Sequence, residues 1–166
     1  MDLPIGRQLA LTSKALQHWI DERLAPHGSS LTTWIVLWNT AAAEAPGLSQ
    51  RELAGRMSIG GPALVRHIDR LEAEGHIRRT RDRQDRRITR VTLTTKGHAH
   101  LTRLKIVMDE SDALIREQLS EPELRSVQRA LARLDQYVTA NPYAAPTTTP
   151  ARSSSSTRPF TETDVA

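Results

Sequence analysis

Cysteine is missing altogether. Its absence excludes disulfides, cysteine-ligated zinc, iron–sulfur clusters, a thiol nucleophile and a thiol redox sensor. Nowhere does the chain approach the ~18 to 20 uninterrupted apolar residues of a membrane span. The opening run MDLPIGRQLALTSKAL lacks the basic region, apolar block and small-residue cleavage site of a secretory leader, so a soluble, cytoplasmic protein is expected. No nucleophile, general base and oxyanion group stand together in a motif, and the scattered carboxylates Glu72, Glu74, Glu121 and Glu123 read as capping and solvation; an enzyme is not expected. His98 and His100 are two residues apart, which on a helix points them to different sides. They read as surface residues rather than metal ligands, and no metal or other cofactor is expected.

What is present is 166 residues, 38% of them hydrophobic, which suits one domain with a core plus extensions and is too short for two typical domains. The net charge is +4, yet the stretch from His76 to Lys96 alone carries +6: Arg78, Arg79, Arg81, Arg83, Arg86, Arg87, Arg90 and Lys96 against Asp82 and Asp85. Such a local excess is the footprint of a phosphate-binding element, although a solvated arginine-rich loop has the same composition. From Asn141 onward, fourteen of the last 26 residues are Pro, Ser or Thr, and only Tyr143, Phe160 and Val165 are large and apolar. This composition predicts a disordered tail over 141–166.

Between these extremes the periodicity is helical. Ile5, Leu9, Leu16, Ile20 and Leu24 predict a first helix ended by Pro26 and Gly28. A second, from about Leu31 to Ala43, is apolar all round at Trp34–Trp38 and so reads as buried; Ala45, Pro46 and Gly47 close it. Ser49 and Glu52 form a capping box, with Leu48 placed to staple onto Leu53, at the head of a third helix, Gln50 to Met57. After Ser58, Ile59, Gly60 and Gly61, Pro62 suits the first turn of a fourth helix reaching Glu74. Its buried stripe is Leu64, Ile68 and Leu71 with Val65 beside them, leaving Ala63, Arg66, His67 and Arg70 on the other face; Gly75 stops it.

The period then changes. Ile77 opens one extended run, Val91 and Leu93 share a face of another, and the polar tip Arg81 to Arg87 lies between, which predicts a two-stranded ribbon. Thr94 or Thr95 caps a long fifth helix carrying Leu101, Leu104, Met108, Ile115 and Leu119. Ser120 to Glu123 is a second capping box, heading a sixth helix with Leu124, Val127, Leu131, Leu134 and Val138 on one face. The fold class expected is mainly α with a small β wing: six helices and a two-stranded wing.

Two short helices joined by a tight turn and followed by a basic ribbon describe a winged helix-turn-helix, in which helix four enters the major groove of double-stranded DNA and the ribbon tip reaches a flanking minor groove. Arg66 suits a guanine or a phosphate, and Ala63 allows close approach or contact with a thymine methyl. The helix start at Gly61 and Pro62 offers free N–H groups to a phosphate. Ser49, His67 and Arg70 complete the major-groove side, and Arg83 and Arg86 suit the narrow minor groove.

The runs SQRELAGRMSIGGPALVRHIDRLEAEGHIRR and DRQDRRITRVTLTTKG resemble the MarR family of transcriptional regulators, its SlyA-like branch in particular, and Asp85, Arg87, Leu93 and Thr94 meet the wing signature D-x-R-x5-L-T. The resemblance spans about residues 5 to 140. It implies a triangular homodimer built by the first, fifth and sixth helices, and an Asp85–Arg87 pair that holds the wing while Arg86 enters the minor groove. On the residues alone, Met108, Ile115, Leu124, Val127 and Leu131 also ask for a partner, unless they pack on their own chain. The organisation expected is a dimerisation helix over 1–30, the winged domain over 31–96, dimerisation helices over 97–140 and the tail.

Trp34 and Trp38, one turn apart, share a face and are most simply core. The resemblance implies a second role, because in that branch aromatic acids such as salicylate bind in a cleft to which Trp34 corresponds as a lining position. Lys14, His18, Arg66 or His67 would supply the positive charge for a small aromatic carboxylate or phenolic ligand. The function expected is a sequence-specific regulator on a pseudo-palindromic operator whose DNA affinity such a ligand lowers. The alternatives are a ligand-independent architectural protein competing at AT-rich sites, and a winged domain used only for protein contacts.

Overall fold

The computed structural model describes residues 3–43, 47–57 and 61–142. The turns expected at Ala45–Pro46 and Ser58–Gly60, and the tail beyond Pro142, lie outside the described residues. Two units are distinguished, Met1–Ser120 and the remainder from Glu121.

In the first unit, α1 (Ile5–Leu24) runs into a short 3-10 turn, Ala25–His27, and α2 (Leu31–Ala41) follows. Ser30 caps α2, its Oγ accepting the Thr33 N–H at 3.2 Å. A two-residue strand β1 (Leu48–Ser49) leads into α3 (Gln50–Met57), then α4 (Gly61–Ala73), β2 (Ile77–Arg81), β3 (Thr89–Leu93) and α5 (Thr95–Arg116). The capping box forms as the spacing predicts: Ser49 Oγ accepts the Glu52 N–H at 3.1 Å, and Glu52 Oε2 accepts the Ser49 N–H at 2.7 Å. Of the two candidates at the head of α5, Thr94 is the cap, its Oγ1 accepting the Gly97 N–H at 3.0 Å.

The expected two-stranded ribbon forms, β2 against β3 with Ile77 opposite Leu93, and β1 adds a short third strand at its edge, Leu48 opposite Val91, giving an antiparallel sheet in the order β1-β3-β2. Two residues are too few to show a strand period, so β1 leaves no mark in the sequence. Its entry depends on Gly47, whose φ is 95°; a Cβ there would lie 2.7 Å from the Val91 carbonyl oxygen.

The core is assembled from one face of each element: Leu24, Val36, Leu37, Leu53, Leu64, Ile68, Leu71, Ile77, Val91 and Leu104 are buried together. The stripe expected on α4 is there, except that Val65 is exposed. On α1 only Ile20 and Leu24 are buried, while Ile5 and Leu16 face outward. The apolar run of α2 is not buried all round: Val36 and Leu37 are covered, Trp34 and Ile35 half-covered, and Trp38 exposed. His98 is exposed as expected, but His100 is a correction, being only 6% exposed and stacked on His76. Position i+2 turned it away from His98 and into the fold. Arg23 ties α1 to α5, its Nε donating to the buried Ser111 Oγ at 2.8 Å.

The second unit contributes α6 (Glu121–Ala140), which buries none of its side chains fully; Val127, Leu131, Leu134, Tyr137 and Val138 are exposed. Among the described residues no helix is long and apolar enough to cross a membrane.

Candidate nucleic-acid interface

α4 is held from below and from the side, and this decides which of its polar groups face solvent. Arg79 on β2 reaches back to Asp69 Oδ1 at 2.5 Å and Glu72 Oε2 at 2.7 Å, which fixes the strand against the helix. Arg70 donates to Thr33 Oγ1 at 2.6 Å and lies 3.8 Å from Glu74. Its guanidinium braces α4 against α2 while its side chain remains half exposed. Arg66 is exposed and makes no hydrogen bond or ion pair among the described residues. Pro62 is exposed at the helix start and Ala63 half-buried one residue on. His67 is half-buried, and that burial, followed by the Arg70 and Arg66 charges, lowers its pKa. It therefore favours the neutral ring at neutral pH, a hydrogen-bonding group rather than a cation.

The wing is organised by a carboxylate other than the one implied by the resemblance. Asp85 and Arg87 do meet, but through the main chain: Asp85 Oδ1 accepts the Arg87 backbone N–H at 2.9 Å. The side-chain ion pair is Asp82–Arg90, with Nε 2.7 Å from Oδ2. The other oxygen of Asp82 accepts the N–H groups of Gln84 and Asp85 at 2.7 and 3.1 Å, folding the tip around a buried acid. The Arg90 hydrogen bond, and then the two backbone donors, hold the Asp82 pKa down to about 2. Arg90 also reaches Glu52 at 3.0 Å and the Gly47 carbonyl at 3.3 Å, so one guanidinium joins β3, the tip, the entry to β1 and the head of α3. The signal in the sequence was an acid eight residues before an arginine, which no strand or helix period distinguishes from chance.

These contacts sort the basic residues of the 76–96 stretch. Arg79, Arg90 and Lys96 are paired within the chain, Lys96 Nζ donating to the Glu74 carbonyl at 2.7 Å on the surface, and Arg81 braces the tip through the Arg86 carbonyl at 2.8 Å. Arg78, Arg83, Arg86 and Arg87 are exposed and have no side-chain partner among the described residues. Arg87 lines a crevice of about 370 Å3 with Ser49, Gln50, Arg51, Ile88 and Thr89. Two guanidiniums there flank the start of α3, a setting suited to a phosphate. Arg51 had no place among the expected contacts, because only the return of β3 beside α3 reveals it.

Of the expected ligand residues, the structure brings Trp34 and Trp38 together. Trp34 and Trp38 stack, ring centroids 5.4 Å apart at 22°, and the Trp34 Nε1 is buried without a partner among the described residues. Trp38 lines a depression of about 230 Å3 with Ala41, Ala42 and Leu101. Lys14 and His18 lie exposed on α1, His18 being 3.4 Å from Glu22; neither they nor Arg66 and His67 line that depression. Further along α1, an apolar groove of about 520 Å3 opens against α5 between Thr12, Ala15, Leu16, Trp19, Leu114, Ile115 and Gln118.

Comparison with known proteins places this geometry. Residues 27–88 match the MarR family model. A MarR family protein of Mycobacterium tuberculosis in complex with p-aminosalicylic acid is 28% identical over 80% of this chain and 99% of its own, with a TM-score of 0.64. The S. aureus MepR–DNA complex has a TM-score of 0.76 at 23% identity, over 82% of this chain and 99% of its own. A mutant E. coli MarR complexed with operator DNA has a TM-score of 0.72 at 24% identity, over 80% and 94%. Six helices and a three-stranded wing in this order are the fold of MarR-type winged-helix regulators, and the segment 27–88, which carries the helix-turn-helix and most of the wing, is the part of the chain that is similar to the MarR family model.

Proposed function

We propose that this protein is a sequence-specific DNA-binding transcription regulator that acts in the cytoplasm as a homodimer on a pseudo-palindromic operator. The observation that carries the reading is the division of labour among the arginines. Those that build the wing are paired, and Arg66 on α4 with Arg83, Arg86 and Arg87 on the wing are left exposed and unpartnered among the described residues. In this reading Arg66 and Ala63 meet base edges in the major groove, Arg86 and Arg83 enter the minor groove, and Ser49, Gly61, Pro62, Arg51 and Arg87 face phosphates. A partly apolar surface on α1, α5 and α6 supports dimerisation through 1–30 and 97–140, which sets half-sites about 34 to 36 Å apart.

The DNA complexes of MepR and MarR support DNA binding, and the p-aminosalicylic acid complex of the mycobacterial relative supports the binding of a small aromatic acid, which in this reading lowers operator affinity. The orphaned Trp34 Nε1 beside the Trp38 ring supplies a donor and a stacking face for such a ligand. Assignment to the SlyA-like branch rests on the motif residues alone. The test is selection of binding sites from random DNA with the purified protein, followed by titration of salicylate-like acids while tryptophan emission and operator occupancy are read together. A selected palindrome and quenching that weakens on bound DNA support the proposal. A selected site with no ligand response to millimolar concentration favours ligand-independent occupancy of AT-rich DNA, and selection of no sequence at all overturns the reading.

A further inference from the structure

The end of α4 and the start of α5 are joined by a small set of close contacts. Thr94 Oγ1 donates to the Gly75 carbonyl at 2.7 Å, the Thr94 N–H donates to the His76 carbonyl at 3.0 Å, and Lys96 grips the Glu74 carbonyl. Gly97 leaves no room between the two chains, since a Cβ there would lie 1.9 Å from the His76 carbonyl oxygen. Against this joint two imidazoles are stacked, His76 from the turn and His100 from α5, with centroids 4.5 Å apart at 15° and each ring residue under a tenth exposed. The His76 Nδ1 is buried with no partner among the described residues.

The surroundings favour uncharged rings. Just past the end of α4, Glu74 lies 3.7 Å from His76 Nε2, but it also lies 3.8 Å from Arg70. From α5 come Lys96 and Arg103, whose Nη2 is 3.4 Å from His100 Nδ1, and from the 3-10 turn comes His27. Arg103 has only donors, so its hydrogen bond to Nδ1 requires that nitrogen to be unprotonated. Protonating both rings would set two cations face to face beside Lys96 and Arg103, with one shared carboxylate to answer them.

We propose that the His76–His100 stack is an acid-sensitive latch between the recognition helix and α5: closed while both rings are neutral, it opens on protonation, frees the Thr94–Gly97 contacts and lets α4 and the wing shift against α5, weakening DNA binding. Burial first, and then the Lys96 charge for His76 and the His76 and Arg103 charges for His100, lower both pKa values, while Glu74 opposes the shift. With the folded values below the ordinary 6.5, the closed state is fully favoured above that pH and loses ground as the pH falls through the folded values. Only the clause on DNA rests on the proposed function.

The test is amide hydrogen exchange on the full chain at about pH 7.5 and about pH 5.5, corrected for intrinsic rates, with Leu104 and Val107 as references. Protection of the Thr94 and Gly97 amides should fall on the order of tenfold at the lower pH while the references hold. His100→Phe keeps a flat ring against His76 and removes one proton site, so its fall should be less than about threefold. Unchanged protection in the parent, or an equal fall in His100→Phe, overturns the latch. Should that variant not fold, histidine NMR titration of the parent decides, and midpoints for His76 and His100 at or above the ordinary value overturn it as well. Operator binding, measured over the same range, should weaken with acid in the parent and stay flatter in His100→Phe, which leaves His67 and the rest of the reading face unchanged. A latch that opens in a protein that binds no operator at any pH would leave the latch standing and remove the DNA reading.

Discussion

The winged segment and the terminal helices treat their apolar side chains in opposite ways. From Leu48 to Leu93, Leu53, Leu64, Ile68, Leu71, Ile77 and Val91 are buried, and Val65 is the exposed large hydrophobic among the described residues there. On α1, α5 and α6 the exposed side includes Leu11, Leu16, Ile106, Leu114, Val127, Leu131 and Leu134. The first region is complete within one chain, and its exposed arginines make its surface polar and basic. The second leaves apolar surface in water, which soluble chains cover by association. Under the proposed dimerisation, folding and assembly fall to different parts of the sequence, and perturbing each should give different signatures.

The largest effect is expected from removing residues 121–166. Sedimentation should then show a monomer and gel-shift no specific complex, whereas removal of 143–166 alone should leave both unchanged. A full-length chain that sediments as a monomer at micromolar concentration would erase the contrast. Next in size, Ile68→Ala should cost about 2 to 5 kcal/mol in denaturant unfolding at any protein concentration, because it opens a cavity in a closed core. Leu131→Ala, on a half-exposed position, should act mainly by making the unfolding midpoint depend more steeply on concentration. Equal, concentration-independent losses would mean that α6 is finished without a partner.

Within the winged segment, Arg66→Ala should cost about 1 to 3 kcal/mol of operator affinity and relax the choice of one base in repeated site selection. Arg86→Ala should act less strongly, changing the preference at flanking AT-rich positions and reducing the salt slope by about one. If both variants bound as the parent does, the assignment of the two reading elements would fail. The smallest effect near neutrality concerns acid. Asp82 has a folded pKa of about 2 against 3.8, so its contribution to the wing is present above the higher value and is lost as pH falls through the lower. Wing amides at Gln84 and Asp85 should keep their protection at about pH 5.5, where the His76–His100 joint is expected to loosen. Joint and wing opening together would mean that the two are one cooperative unit.

Much of this architecture was legible beforehand, for identifiable reasons. The Ser49–Glu52 box, Pro62, Gly75 and the Leu64–Ile68–Leu71 stripe are local signals, and each gave its element within a residue or two of the observed bounds. The candidate site was legible in its exposed members, Arg66, Arg83 and Arg86, because a charge with no neighbour to pair with remains where the pattern puts it. What stayed hidden was pairing at long range. Nothing near Arg70 in the sequence marked its hydrogen bond to Thr33, thirty-seven residues away. Asp82 and Arg90 looked like two members of a solvated run, and Arg51 like an ordinary surface residue.

The amino-acid sequence by itself determined the helices, their caps, the buried stripe of α4 and the excess of positive charge on the wing, since all of these follow from contacts within a few residues of one another. Only the tertiary structure decided which arginines are struts and which are free, that a third strand closes the wing, and that His76 meets His100 across the turn between α4 and α5. The reason is physical: a guanidinium or an imidazole takes its role from the groups that surround it, and in this fold those groups arrive from other elements.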